Sequence, residues 1–333
     1  MKITFFETDG RDEDYFKNQL SGFDLLFFKE KISSENTDLT KGSDIISIFV
    51  DSKIDQEVIS KFDGLKMITT RSTGFDHIDL PACSEKNITV CNIPHYGDNT
   101  VAEHTFALIL DLSRKIHNSI ESVRMEGFSS GGFMGFDLRG KTLGVIGTGR
   151  IGSHVIRIAK GFEMRVLAHD IIQDKKLAKN LGFEYASLEE LLKNSDIITL
   201  HAPYNQGTHH LINSNNINLI KKGAYLINTS RGGIIETGAL IKALNEGIIA
   251  GAGLDVLEEE DFIKEESQLL SKEFSEKHNL KTVLQNHVLM ERQDVIVTPH
   301  NAFNSIEALD RILETTVDNI RAFAKGKPIN KVN

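Results

Sequence analysis

From Met1 to about Asn99, short apolar runs alternate with stretches of helical character, and Ile3 to Phe6, Asp24 to Phe28, Ile45 to Val50, Met67 to Thr70 and Thr89 to Ile93 read as strands. Strands separated by helices predict a parallel sheet covered on its faces. Between Thr100 and about Arg124, Val101, Phe106, Ala107, Leu108, Ile109, Leu110, Leu112 and Ile116 recur with no internal Gly or Pro, which predicts one long, largely buried helix.

The glycine-rich stretch from Gly127 to Gly140 breaks this pattern and marks a join between domains. A second alternating series follows. Its strands are expected at Thr142 to Ile146, Arg165 to His169, Asp196 to Leu200, Ala224 to Asn228, Ile249 to Gly253 and Val295 to Thr298, at βαβ spacing that predicts a second, doubly wound sheet. A charged stretch rich in Glu and Lys, Asp261 to Arg292, interrupts this rhythm and is expected to be helical. The chain closes on a helix from about Ser305 to Lys325.

Within the second series lies Gly147-Thr148-Gly149-Arg150-Ile151-Gly152, a GxGxxG run between the strand ending at Ile146 and a helix carrying Ile151, Val155, Ile158 and Ala159. A lone glycine run is weak evidence, and this context strengthens it. Gly147 permits the tight turn, Gly149 lets a pyrophosphate approach the backbone, and Gly152 lets the helix pack closely on the strand. The free N–H groups at the helix start favour an anion, with Arg150 as a further charged contact. Asp170 falls 18 residues after Gly152 at the end of the next strand. A carboxylate there accepts from ribose hydroxyls and disfavours a 2′-phosphate, so the expected cofactor is NAD.

Composition narrows the class. At 333 residues two domains are expected. A net charge of −9 argues against nucleic acid, which a basic face must neutralise. No apolar run approaches the roughly 20 residues needed to span a bilayer, and the N-terminus has no signal-peptide core, so a cytoplasmic protein is expected. Cys83 and Cys91 lie far from any metal-ligand or disulfide spacing, and His209-His210 lacks a second ligand cluster, so no metal is expected.

Three further segments stand at expected strand ends, where open α/β sheets bind ligands: Asn228-Thr229-Ser230-Arg231, Gly253-Leu254-Asp255 and Thr298-Pro299-His300. Read alone, each residue has a bland explanation. Arg231 suits a surface ion pair, and His300 is one of twelve histidines. Glu260 competes with Glu258, Glu259 and Asp261 in one acidic run. His104 reads as a structural residue on an apolar helix face.

Taken together, the glycine run with Asp170, His201-Ala202-Pro203, Asn228-Thr229-Ser230-Arg231-Gly232, Gly253-Leu254-Asp255-Val256-Leu257-Glu258-Glu259-Glu260 and Thr298-Pro299-His300 resemble the D-isomer-specific 2-hydroxyacid dehydrogenase family over nearly the whole chain. The resemblance implies two doubly wound parallel-sheet domains with a cleft between: a flavodoxin-like substrate domain (residues 1–99 plus 300–333) and a Rossmann NAD-binding domain (residues 100–299). It implies that Arg231 binds the substrate carboxylate, His300 is the acid/base and Glu260 is its partner. Asp255 is expected near the nicotinamide, and Thr73 and Gly74 are expected to help hold the carboxylate. Ile151, His201, Ala202, Pro203, Thr208, Thr229 and Ser230 complete the expected cofactor contacts.

Tyr96 and Phe303 match residues of the D-lactate dehydrogenase branch, the first reaching the carboxylate and the second shaping a methyl-sized pocket. The implied reaction is reduction of pyruvate by NADH, with hydroxypyruvate, glyoxylate or phosphoglycerate-type substrates as alternatives. Glutamate at position 260 argues against formate, since the formate dehydrogenases of the superfamily carry Gln there. With the sequence ending at Asn333, the regulatory domain of many phosphoglycerate dehydrogenases is not expected, which places that substrate reading third. A non-enzymatic NAD-binding regulator of the corepressor kind shares these residues and is the reading from another class. The resemblance also implies a homodimer.

Overall fold

The computed structural model describes residues 1–128, 131–260 and 280–333. The part of the expected charged helix at 261–279 lies outside the described residues. The chain divides into two compact units, Met1–Tyr96 with Asn304–Asn333, and Gly97–Phe303.

The first unit is a five-stranded parallel sheet built from β1 (Lys2–Phe5), β2 (Asp24–Phe27), β3 (Ile45–Ile48), β4 (Met67–Thr70) and β5 (Thr89–Cys91), in the order β2-β1-β3-β4-β5. That is the flavodoxin-like winding. Successive side chains face opposite ways, so one strand supplies two cores. Ile45 and Met67 pack with Phe16 of α1 (Gly10–Gln19) and with Leu313, Val317 and Ile320 of the C-terminal helix. Ile46 and Ile68, one residue on, pack with Val58 and Ile59 of α2 (Gln56–Ser60) and Cys83 of α3 (Leu80–Glu85). The central strands β3 and β4 are therefore buried at every position, as a sheet covered on both faces requires.

The second unit carries α4 (Asp98–Arg114) and α5 (Ile116–Glu126), followed by β6 (Thr142–Ile146), α6 (Arg150–Gly161), β7 (Arg165–His169), α7 (Lys175–Leu181), β8 (Glu184–Tyr185) and α8 (Leu188–Asn194). It continues through β9 (Ile197–Leu200), β10 (Ala224–Asn228), α9 (Thr237–Asn245), β11 (Ile249–Leu254), α10 (Leu280–Met290) and β12 (Val295–Val297). The C-terminal helix α11 (Ile306–Ala324) returns to the first unit. The seven parallel strands run β12-β11-β10-β9-β6-β7-β8, with the winding reversing between β6 and β9, the crevice where such sheets bind nucleotides. Leu143, Val145 and Ile227 pack on α4 and α6, whereas Ile146, Ile198 and Leu226 pack on α8 and α9.

The expected single helix from Thr100 to Arg124 is two helices, and the correction has a local cause. Lys115 takes a left-handed conformation (φ 52°, ψ 45°). A continuous helix would give the His117 N–H to the Ser113 carbonyl. Instead that carbonyl accepts from Phe136 N at 2.9 Å, and Asp111 Oδ1 takes the His117 N–H at 2.8 Å. The short strand β8 was not expected, because two paired residues leave no pattern to read. Among the described residues no helix is long and apolar enough to cross a membrane.

Candidate active site

The glycine run forms the turn between β6 and α6. Gly147 has φ 94°, and a Cβ there would come 2.7 Å from the His201 carbonyl. A Cβ at Gly152 would collide with the Gly147 carbonyl oxygen. Gly149, the residue that caps α6, is different: it is exposed, and a Cβ on it would meet nothing within 4 Å. No side chain caps the first turn of α6, so its N–H groups and positive dipole end face outward over Gly149. Ile151 is half-buried in the same turn, and Arg150 is exposed with Nη1 3.9 Å from Asp98.

Asp170 directly follows β7 and accepts from Thr148 N at 2.7 Å, Thr148 Oγ1 at 2.9 Å and Ile172 N at 3.0 Å. Burial opposes its charge, but these hydrogen bonds outweigh burial and hold the carboxyl below the usual range. Tyr185 of β8 lies with its hydroxyl 2.9 Å from Thr148 Oγ1 and props the same turn, a contribution no sequence motif signals.

His201, Ala202 and Pro203 follow β9. The His201 ring lies with Nε2 2.9 Å from Thr199 Oγ1, whereas its Nδ1 is buried with no partner among the described residues. Burial pushes the imidazole down to about 3, so it is neutral at ordinary pH. The Thr208 hydroxyl donates to the Pro203 carbonyl at 2.6 Å and closes the loop that follows. An uncapped helix start beside open space, a ribose-spaced carboxylate and an unpartnered ring nitrogen form a donor and acceptor set that fits a dinucleotide.

The chemistry-bearing segments meet at the ends of β10, β11 and β12. Asn228, buried at the end of β10, accepts from Ser230 N at 3.1 Å and Ser230 Oγ at 2.8 Å, and donates to the Arg231 carbonyl at 2.9 Å. Arg231 beyond this turn is half-buried, and its Nη1 donates to the Ser230 carbonyl at 2.8 Å. Gly232 then packs against the Leu257–Glu258 backbone so tightly that a Cβ would collide. Thr229 lies 3.0 Å, hydroxyl to hydroxyl, from Thr105 of α4.

The acidic run resolves into distinct assignments. Glu258 binds His210 Nε2 at 2.6 Å and accepts from Thr237 Oγ1 at 2.7 Å. Glu260 accepts from Leu257 N at 2.9 Å with one oxygen and lies 2.5 Å from His300 Nδ1 with the other. Asp261 lies outside the described residues. Burial disfavours the His300 imidazolium, but the Glu260 hydrogen bond and charge outweigh it and raise the pKa above the usual histidine value, against a smaller opposing effect of Arg231.

Asp255 ends β11, and its carboxylate is committed to the chain. Oδ1 accepts from Thr298 Oγ1 at 2.5 Å and Asn301 N at 3.0 Å, and Oδ2 accepts from Ala302 N at 2.9 Å. Phe303 follows and packs beside Gly97.

The remaining expected residues lie in the first unit. Thr73 donates its hydroxyl to the Ile93 carbonyl at 2.7 Å and its own carbonyl accepts from Asn92 Nδ2 at 2.8 Å, while the Gly74 carbonyl accepts from Ser72 Oγ at 2.6 Å. The turn is thereby fixed against β5. The Tyr96 carbonyl accepts from Arg311 Nε at 2.7 Å. Asn92 and Asn228, which organise two of these loops, were absent from the expected site. The Asn-x-Ser spacing at Asn228 is a legible turn signal.

Comparison with known proteins agrees with this geometry. Residues 106–302 match the family described as D-isomer specific 2-hydroxyacid dehydrogenase, NAD binding domain. The D-lactate dehydrogenase of Escherichia coli is 36% identical, covering 98% of each chain. The glyoxylate reductase of Aeropyrum pernix is 38% identical over 87% of this chain and 83% of its own. The structure of D-lactate dehydrogenase from Aquifex aeolicus complexed with NAD and lactic acid superposes with a TM-score of 0.88 at 39% identity, covering 99% of this chain and 100% of that one. With two parallel α/β sheets, a nucleotide-binding turn and a paired histidine and glutamate at the strand ends, this chain belongs to the D-isomer-specific 2-hydroxyacid dehydrogenase family and is an NAD-dependent oxidoreductase acting on the CH–OH group of D-2-hydroxy acids.

Proposed function

We propose that the protein is a D-lactate dehydrogenase, interconverting pyruvate and NADH with D-lactate and NAD. The observation that carries the chemistry is the 2.5 Å approach of His300 Nδ1 to Glu260, with Arg231 within electrostatic reach of the ring. Arg231 offers a planar fork of donors to the carboxylate of a 2-oxo acid. His300, protonated, gives its Nε2 proton to the carbonyl oxygen, and Glu260 stabilises the imidazolium that does so. In the reverse direction neutral His300 takes the hydroxyl proton. NAD, when bound, supplies or accepts the hydride.

In this reading the Gly147–Gly152 turn, Asp170, the His201–Pro203 segment, Thr208, Thr229, Ser230 and Asp255 form the cofactor side. Thr73, Gly74 and Tyr96 serve the carboxylate, and Phe303 restricts the substrate side chain. Relatives named for lactate and for glyoxylate share similar identity with this chain, so Phe303 and Tyr96 support pyruvate on chemical grounds: an aromatic wall suits a methyl group. The test is NADH oxidation with pyruvate, glyoxylate, hydroxypyruvate, phenylpyruvate and 3-phosphohydroxypyruvate, followed by chiral analysis of the product. Pyruvate should have the highest kcat/KM and yield D-lactate. A higher value for any other acid in the panel refutes this assignment.

The same reading has the enzyme acting as a cytoplasmic homodimer. Ile116, Ile120 and Val123 form one helical face of α5 and are 45%, 45% and 44% exposed, an apolar stripe suited to a second copy. Cys83 and Cys91 are both unpaired, which suits a reducing compartment. Light scattering on the purified protein should give twice the chain mass, and a monomer mass rejects the pairing.

A further inference from the structure

The roles above leave His104 unused, yet its surroundings are specific. Helix α4 rides directly on β11, since a Cβ at Gly253 would come 3.0 Å from Leu108 Cβ. One turn nearer the start of α4, His104 reaches the end of that strand. Its Nε2 lies 3.1 Å from Thr298 Oγ1 and 3.4 Å from Asp255 Oδ1. The Thr298 hydroxyl spends its hydrogen on Asp255, so the ring must carry hydrogen on Nε2 to bond with it.

Asp255, 1% exposed, holds the amides of Asn301 and Ala302. Those amides immediately follow His300, whose backbone is left-handed at φ 50°. A residue with a side chain persists in that conformation only where its surroundings over-determine it. The His300 N–H donates to the Asp255 carbonyl at 2.8 Å, so both the main chain and the side chain of Asp255 fix the turn.

We infer that His104 is a positioning residue for His300. By donating Nε2–H toward Thr298 and Asp255, it keeps the Asp255 carboxylate locked on the turn that presents the His300 ring to Glu260. The inference rests on the reading of His300 as the acid/base. His300 feels Glu260, Arg231 and Asp255. On His104's own helix the carboxylates are Asp98, 3.9 Å from Arg150 of α6, Glu103, which accepts from Asn99 at 3.1 Å, and Asp111, which accepts from His117 N at 2.8 Å. None of the three pairs with His104 among the described residues. Removing the His104 donor therefore loosens Asp255 on the turn it holds, and the His300 ring drifts from Glu260, whose hydrogen bond and charge favour its imidazolium.

The test compares full-length wild type with His300→Gln, His104→Phe, His104→Gln and Thr298→Val. Readouts are kcat, KM for NADH, melting temperature and the pH profile of kcat/KM for 2-oxo acid reduction. His104→Phe should lower kcat by about ten-fold or more, as a displaced catalytic group does, with KM for NADH within about two-fold. Its alkaline limb should move to lower pH. His104→Gln, which restores an N–H donor, should recover most of both effects, and Thr298→Val should reproduce the shifted limb. Wild-type kcat and limb in His104→Phe overturn the inference, as does a loss of kcat with the limb unmoved. Should His104→Phe fail to fold, an unmoved limb in Thr298→Val overturns it equally. Near-normal turnover in His300→Gln sinks the acid/base reading and this inference with it, whereas an inactive His300→Gln beside a normal His104→Phe sinks the inference alone.

Discussion

His300 Nδ1 lies 2.5 Å from Glu260 Oε1 while the other Glu260 oxygen accepts the Leu257 amide, so one carboxylate ties the ring of the proposed acid/base to the backbone after β11. The tie fixes the ring's orientation, leaves Nε2 as the nitrogen available for proton transfer and raises the pKa of the imidazole.

A pH dependence follows with a definite sign. Because the His300 pKa is raised, the protonated form survives to higher pH, so 2-oxo acid reduction should hold on the acid side and fall as pH rises through that raised value. Hydroxy acid oxidation should show the mirror image. Glu260→Gln removes the charge that opposes desolvation, so the alkaline limb should shift toward lower pH and kcat fall roughly ten- to hundred-fold. A profile with an unmoved limb would mean that Glu260 does not set the His300 pKa. Stability has the same sign: the raised pKa stabilises the fold below about pH 6.5, and this contribution disappears as pH passes the folded value.

The glycines of the nucleotide turn should separate by phenotype. Gly149→Val has room for its Cβ but covers the start of α6, so NADH binding should weaken at least about ten-fold with the melting temperature near wild type. Gly152→Ala drives a methyl into the Gly147 carbonyl and should cost about 1–3 kcal/mol of stability. Fluorescence titration with NADH and a thermal melt distinguish them. Equal effects of both variants on both readouts would contradict the geometry.

Lys115 is a non-glycine residue held left-handed at the break between α4 and α5. Lys115→Gly relieves that strain without disturbing the hydrogen bonds of Ser113 and Asp111, and should stabilise the protein by about 0.5–1 kcal/mol. Asp111→Ala should do the opposite, stranding the His117 N–H at a cost of about 1 kcal/mol. Urea unfolding of the two variants checks both signs.

Burial pushes the thiols of Cys83 and Cys91 up to about 11. Only the thiolate reacts with a disulfide reagent. At pH 8 the native protein should therefore show almost no reactive thiol, and denaturant should release two. Rapid labelling of the folded enzyme would show that the first unit opens readily around β5 and α3.

Much of this protein is legible in its sequence because local physics wrote it there. Strands covered on both faces are short runs rich in apolar and β-branched residues, so Met67–Thr70, Thr142–Ile146, Arg165–His169 and Ala224–Asn228 have the bounds the pattern predicts. The Gly147–Gly152 turn is legible as well, since Gly152 answers to the Gly147 carbonyl within the same motif, although the His201 carbonyl that crowds Gly147 comes from the neighbouring strand end. Other features depend on residues distant in the chain. The break at Lys115 is set by Phe136, which takes the carbonyl a continuous helix would have used. Within one acidic run, Glu260 meets His300 and Glu258 meets His210, contacts that depend on where those histidines arrive. His104, bland on its helix, gains its partners only because β11 and β12 end beside it. Periodicity and turn chemistry are fixed by neighbours along the chain, whereas the pairing of charges depends on which strand ends the folded sheet brings together.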